Sequence, residues 1–279
     1  MQGRTITESK IQEFYHYLLR EEKSQATLEK YLRDVRAFSA YVGQKWITKE
    51  VTIQYKRYLK ERGYAPRSIN SMLASVNGFF SFANWLDCKV KTLKLQKQVY
   101  CNEEQELTKA EYGRLLAAAE TKPQLRLVMQ TICATGIRVS ELRFFTVEAV
   151  QSGEVTVTCK GKTRTILIPG KLRSLLKAYT KAQKIRSGVI FRTRSGKTLD
   201  RKTIWTQMKS LCLAAGIKPS KVFPHNLRKL FARTFYGLEK DIAKLADILG
   251  HSSIDTTRIY IISTGTEHRK KIEKLGLVV

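Results

Sequence analysis

The sequence predicts a mainly α-helical protein with a small β-sheet, arranged as an N-terminal four-helix domain and a larger α+β domain. Three observations carry this expectation. Apolar residues recur at helical spacing through the first hundred positions and again from about 171 onward. Strict alternation is confined to 154–168. The 279 residues fit two domains of roughly 100–200 residues each. Hydrophobic residues are 43% and charged residues 27%, which excludes wholesale disorder. With 16 Gly and 5 Pro, collagen-like and low-complexity architectures are excluded too.

The elements follow in order. Ile11, Phe14, Tyr15, Leu18 and Leu19 share one helical face. Thr27 is placed to cap a second helix with Leu28, Tyr31, Leu32, Val35, Phe38 and Val42 as its stripe, and Gly43 stops it. Thr48 opens a third, with Val51, Tyr55, Tyr58 and Leu59 inward and Gly63 at its end. Pro66 starts a fourth, with Ile69, Met72, Leu73, Val76, Phe79, Phe80 and Ala83 apolar. Over 91–106 the periodicity is lost and the charge changes sign. Residues 98–106 are expected to be a linker, and nine extended residues reach roughly 30 Å.

The second domain, 107–279, opens on a capping box, Thr108 with Glu111. A helical pattern runs to Ala134 and Gly136 ends it. Glu154–Thr158 and Thr165–Ile168 alternate around a basic turn, 160–164, which predicts a β-hairpin. From about 171 the pattern is helical, with breaks expected at Gly188, Gly196, Gly216, Pro224, Gly237 and Gly250.

The net charge is +27. Residues 161–230 alone sum to +17, so the positive charge is concentrated. Such an excess implies a polyanionic partner, because each phosphate neutralised by Lys or Arg releases counterions. The longest uncharged window, 68–86, holds seven Ser or Asn, too polar to span a membrane. No charged-then-apolar segment at the N-terminus resembles a signal peptide. Cys88, Cys101, Cys133, Cys159 and Cys212 are odd in number and scattered, with no ligand spacing, and are expected to be reduced thiols. No metal site and no cofactor site is expected.

No phosphate-cradling Gly-rich loop or paired-carboxylate cluster stands out. The residues that do are cationic and aromatic. The chain carries ATGIRVSEL around Arg138 and Glu141, then Lys160 in the hairpin turn, PHNLRKLFAR with His225 and Arg228, and LGHSSIDTTRIY with His251 and Tyr260. Two Arg, one Lys, two His and one Tyr in this order resemble the tyrosine site-specific recombinases, the family of Xer recombinases and of phage and transposon integrases. The resemblance spans nearly the whole chain. Thr27–Gly43 and Tyr64–Leu86 look like parts of the family's helical core-binding (SAM-like) domain, and 107–279 looks like its catalytic domain.

The resemblance implies that Arg138, Lys160, His225, Arg228, His251 and Tyr260 form the active site, with Glu141 in support. It implies a metal-free reaction without cofactors on double-stranded DNA at a specific recombination site. It also implies a homotetramer on DNA joined through the C-terminal tail 261–279, with accessory DNA-bending proteins as a further class of partner. The expected setting is the bacterial cytoplasm, nucleoid-associated when bound to DNA. Two departures stand out. The family often has His after the Arg of the third motif, where this chain has Lys229, and Lys162 rivals Lys160 for the lysine role.

The residue chemistry points the same way. Phosphoryl transfer asks the protein mainly to position groups and to stabilise charge on non-bridging oxygens. Two Arg supply planar, bidentate, permanently charged clamps. A Tyr can form a covalent phosphodiester intermediate, which splits the exchange into two steps and conserves bond energy. A Lys near phosphates can protonate the 5′-oxygen leaving group, His225 can serve as acid/base partner and His251 as a further donor to the phosphate. Two other readings share parts of this pattern. One is a type IB topoisomerase-like enzyme, the other a DNA-binding regulator without chemistry. Within the recombinases, integration or excision of a mobile element is favoured over chromosome-dimer resolution.

Overall fold

Thr7 accepts a hydrogen bond from the Lys10 amide at 3.3 Å and so opens α1 (Glu8–Arg20). The computed structural model describes residues 4–96, 103–159, 162–262, 268–269 and 272–275, without the side chains of 103, 159 and 162. These fall into two units, Met1–Lys97 and Gln98–Val279. In the first unit α1 is followed by α2 (Gln25–Val42), α3 (Lys49–Glu61) and α4 (Pro66–Phe82). The α2 start differs from expectation. Ser24 is the flanking residue, and the Thr27 hydroxyl bonds to Ser24 Oγ at 2.9 Å instead of capping an amide. Thr48 and Pro66 open α3 and α4 as expected. Tyr58, expected inward, is 37% exposed and lies against Tyr41 at the edge of the core.

The core of this unit is aromatic. Phe14, Phe38, Phe79 and Phe80 have no exposed surface, and Phe14 meets Phe79 edge-to-face at 5.3 Å. Burying each such side chain contributes about 1.5–3 kcal/mol. Asp34, buried on the inner face of α2, is matched by Lys30 at 2.8 Å and by the Ser75 hydroxyl at 3.0 Å.

In the second unit the capping box forms as expected and opens α5 (Lys109–Ala118). The helical stretch up to Ala134 is two helices. Pro123 starts α6 (Pro123–Thr135) at its first turn. A 3-10 turn (Val139–Phe144) and α7 (Val147–Ser152) lead to β1 (Glu154–Cys159) and β2 (Lys162–Leu167), an antiparallel pair in which Cys159 faces Lys162. Then come α8 (Gly170–Ala182), α9 (Arg201–Lys209), α10 (Cys212–Ala215), α11 (Pro224–Glu239), α12 (Ile242–Leu249) and α13 (Ile254–Ile261).

Three local expectations are corrected. The basic turn is narrower than 160–164, because 162–164 already pair in β2. Gly237 does not break α11, which runs to Glu239 and ends at Lys240, φ +58°. The break expected at Pro224 does fall there, since Pro224 is the first residue of α11, where its missing N–H costs nothing. The expected linker 98–106 is also shorter at its end. Glu103–Gln105 form a 3-10 turn, and the buried Glu106 carboxylate pairs with Lys229 at 2.9 Å and Arg233 at 3.6 Å. Cys88, Cys133 and Cys212 are free thiols; the Cys101 and Cys159 side chains lie outside the described residues. Among the described residues no helix is long and apolar enough to cross a membrane, and no three His, Cys, Asp or Glu could share a metal ion.

Candidate active site

Among the helices that end on glycine, α6 and α12 each deliver a site residue. α6 stops at Gly136 (φ +66°) and the chain leaves toward Arg138. α12 stops at Gly250 (φ +63°) and the next residue is His251. Both positions lie in the left-handed region that glycine enters without strain. Neither has room for a side chain. A Cβ at 136 would lie 2.4 Å from Phe231 Cδ1, and one at 250 would lie 2.6 Å from Arg164 Nη1. The glycines of the ATGIR and LGH segments are therefore dictated by conformation and by contact.

Helix C-termini carry unpaired carbonyls and the negative end of the macrodipole. Arg228, on α11, answers both. Its Nη1 donates to the Gly136 carbonyl and its Nη2 to the Leu249 carbonyl at 2.7 Å. That is how a guanidinium only 1% exposed stays charged. Burial, then the nearby Arg138, lowers its pKa to about 10, which leaves it protonated at neutral pH.

Arg228 Nη2 also lies 2.9 Å from His251 Nε2. A guanidinium has only donors, so His251 Nε2 is the acceptor and the proton sits on Nδ1, which donates to Thr257 Oγ1 at 2.8 Å. The expectation that His251 donates to a phosphate does not describe this arrangement, in which its Nε2 accepts from Arg228. Burial and the positive field of Arg228, Arg138 and Arg164 lower the His251 pKa to about 4. His225, on the first turn of α11, is held at about 4 as well. Burial away from water is the main cause, followed by Lys229, Arg228, Arg201 and Arg138. Both imidazoles are neutral at pH 7.

Tyr260, on α13, is 5% exposed and packs with Ala232, Leu245 and Leu249. Its ring lies against both imidazoles, 5.3 Å from His225 and 5.4 Å from His251 by centroid. Its phenol is within hydrogen-bonding reach of Arg228. Arg138 closes the group. It donates Nη1 to Glu141 Oε1 at 3.0 Å, and its side chain is 35% exposed.

Five of the six expected residues, Arg138, His225, Arg228, His251 and Tyr260, are thus brought together. Lys160 lies outside the described residues. Glu141 is 1% exposed and accepts from Arg138 and Arg164. Burial pushes its carboxyl upward, and the two guanidinium groups overcome that and hold it below the usual carboxylate range. The sequence reading missed Arg164 and Thr257. Thr257 is six residues after His251, near enough for a spacing argument. Arg164 has no local signal, because its partner Glu141 is 23 residues away. Lys229, the departure from the family's His, is turned to Glu106. A separate cleft of about 740 Å³, lined by Lys122, Gln124, Tyr179, Arg192 and Arg194 among others, opens at the Pro123 end of α6. α6 has 13 residues, which puts its two ends roughly 20 Å apart.

Comparison with known proteins agrees with this architecture. Residues 105–267 match the phage integrase family, and residues 11–86 match the phage integrase N-terminal SAM-like domain. "Tyrosine recombinase XerA" of Thermococcus kodakarensis is 30% identical over 276 residues, covering 96% of this chain and 95% of that protein. "Tyrosine recombinase XerD" of Listeria monocytogenes serovar 1/2a is 27% identical, covering 90% and 92%. Among solved structures, a lambda integrase dimer bound to a COC′ core site superposes with a TM-score of 0.76 at 20% identity, over 93% of this chain and 96% of that one. A helical SAM-like domain followed by an integrase catalytic domain is the fold of DNA breaking-rejoining enzymes. The chain belongs to the phage integrase family and is a tyrosine recombinase.

Proposed function

We propose that the protein cleaves double-stranded DNA at a specific site by attack of the Tyr260 oxygen on a phosphodiester. A Tyr–O–P bond forms to the 3′ side and the 5′-oxygen leaves. The 5′-hydroxyl of a partner strand then reverses the attack, and repeated exchange passes through a Holliday junction. The observation that carries this is the setting of Tyr260, against two neutral imidazoles and within reach of Arg228, with the part-exposed Arg138 close enough to act on Arg228 and both imidazoles. Arg138 and Arg228 clamp the non-bridging oxygens. His225, neutral at pH 7, accepts the phenol proton. His251 holds Arg228 in place, and Lys160 protonates the leaving oxygen.

Two guanidinium groups, Arg138 and Arg164, share the one carboxylate of Glu141, and a third, Arg228, is bonded to carbonyls and to His251, an excess of positive charge that suits an anion. The net charge of +27 suits duplex DNA contacted by both domains, 1–97 and 107–279. Assembly as a tetramer through the tail 261–279 is part of the same reading. Ile272 and Leu275 are 52% and 61% exposed, which leaves them available to a neighbouring copy. We place the reaction in the cytoplasm, in the integration or excision of a mobile element. A second reading is an Xer-type recombinase acting on a chromosomal site, and the relatives named XerA and XerD favour that type.

The test is covalent trapping on fragmented genomic DNA, followed by sequencing of the bound fragments. The wild type should yield an adduct on the 3′ side of one sequence. Tyr260→Phe should bind that DNA and give no adduct. An adduct mapped to Tyr236 would overturn the assignment. A captured site at the ends of a mobile element supports the first setting, and one elsewhere on the chromosome supports the second.

A further inference from the structure

We propose that Arg164 is a positioning residue for the reaction, acting through Glu141 to keep Arg138 turned toward the phosphate. The inference rests on the reading of Arg138 as a phosphate clamp. Arg164 sits in β2 and grips Glu141 with both terminal nitrogens, Nη1 to Oε1 at 3.1 Å and Nη2 to Oε2 at 2.7 Å. Arg138 reaches the same carboxylate with Nη1 at 3.0 Å and with its backbone amide at 2.8 Å. Glu141 therefore has four donors and no exposed face through which water could replace one.

The two arginines divide the work. Arg164 is 15% exposed and directs its two-point grip inward; Arg138 is 35% exposed and gives the carboxylate one terminal nitrogen. The other terminal nitrogen of Arg138 is 3.4 Å from the Gly250 carbonyl, a long contact that a phosphate oxygen would readily displace. Without Arg164, Glu141 would hold a buried charge with half its partners, and Arg138 would be drawn in to supply the rest. Arg164 also lies directly over Gly250, the residue before His251. One guanidinium thus joins the strand after the hairpin turn, the turn that carries Arg138, and the helix end that delivers His251. Only Arg meets this geometry, since the two-point contact needs a planar fork.

The experiment uses the full chain and a nicked duplex carrying the trapped cleavage site. One version has an ordinary scissile phosphodiester, and the other a methylphosphonate, which lacks one charged oxygen. Arg164→Met should slow single-turnover adduct formation on the ordinary duplex by about 10–100-fold, the scale expected of a misplaced catalytic group. Duplex affinity should stay within about threefold of wild type, because Arg138 still contributes its charge to binding. On the methylphosphonate duplex the rate deficit should shrink to about threefold or less, because the charge that Arg138 must meet is gone. Arg164→Lys should recover part of the rate. Should Arg164→Met melt early, the double variant Arg164→Met/Glu141→Gln leaves no lone buried charge and is expected to show the same deficit and the same rescue. A wild-type rate for Arg164→Met, or an equal deficit on both duplexes, overturns the proposal while the function stands. Absence of any Tyr260 adduct with the wild type overturns both.

Discussion

The four-helix core of the first unit and the corner where α11, α12 and α13 meet are both buried, but they are held by different forces. The first is a cluster of phenyl rings, Phe14, Phe38, Phe79 and Phe80, all fully enclosed. Its one buried carboxylate, Asp34, finds Lys30 one turn away on its own helix and Ser75 on α4. The second has a small apolar cluster, Ala232, Leu245, Leu249 and Tyr260, beside a buried guanidinium. That corner is closed by polar ties from Arg228 to two helix ends. Packing of rings dominates the first core, with one buried ion pair inside it; the corner that holds Tyr260 is fixed by hydrogen bonds from Arg228 that also aim its charge.

The largest expected effect lies in the first region. Phe79→Ala should destabilise the Met1–Lys97 unit by about 3–5 kcal/mol, the usual cost of emptying a phenyl site in a packed core. Urea unfolding of the full chain would show it as a lower first transition. Adduct formation by the folded protein should be unchanged. A loss of less than about 1 kcal/mol would break the comparison, since the core would then be able to collapse around the void.

The next effect sharpens the comparison inside the second unit, through two glycines of the same backbone type. At Gly216 (φ +61°) an added Cβ would meet nothing within 4 Å, whereas at Gly136 it would fall on Phe231. Gly216→Ala should cost about 1–2 kcal/mol, the penalty of the left-handed conformation alone. Gly136→Ala adds an overlap worth about 1–3 kcal/mol more. It should also slow adduct formation, because it displaces the carbonyl that Arg228 holds. Melting curves and single-turnover cleavage on the same two variants test both parts. Equal losses would mean that Phe231 moves aside freely.

The difference between the regions also explains how much is legible in the sequence. In the first unit every apolar stripe is local and periodic, so the four helices and the starts of α3 and α4 can be read, while the start of α2 and the inward place of Tyr58 differ. In the second, Arg138, His225, Arg228, His251 and Tyr260 are legible because each sits in a distinctive local segment. What joins them is not. Arg228 bonds a carbonyl 92 residues away and Arg164 a carboxylate 23 residues away. A main-chain acceptor at a helix end leaves no mark in residue identity beyond the glycine that follows it. The true width of the hairpin turn is hidden for a similar reason. Alternation of apolar and polar residues is lost where Lys162, Thr163, Arg164 and Thr165 are all polar, so a strand residue such as Arg164 passes for part of a basic loop.

The smallest expected effect is on pH dependence, and it separates the corner from the aromatic core by charge. His225 and His251 have pKa values of about 4 in the folded chain, against about 6.5 for an unfolded histidine. Between these values the unfolded chain binds more protons than the folded one, so stability rises with pH across the window and is lost as pH falls from about 6.5 toward 4. Burial is the first cause at both positions, and Arg138 and Arg228 add to it by repelling an imidazolium. A phosphate in the site would cancel that repulsion and raise both pKa values, so binding DNA should take up protons. Duplex affinity at fixed ionic strength should therefore strengthen as pH is lowered from 7 to 5, and the double variant His225→Gln/His251→Asn should flatten the trend. A wild-type affinity that does not change with pH would mean that the bound phosphate stays clear of the imidazoles, and the proposed place of His225 beside the reacting phosphate would fall with it.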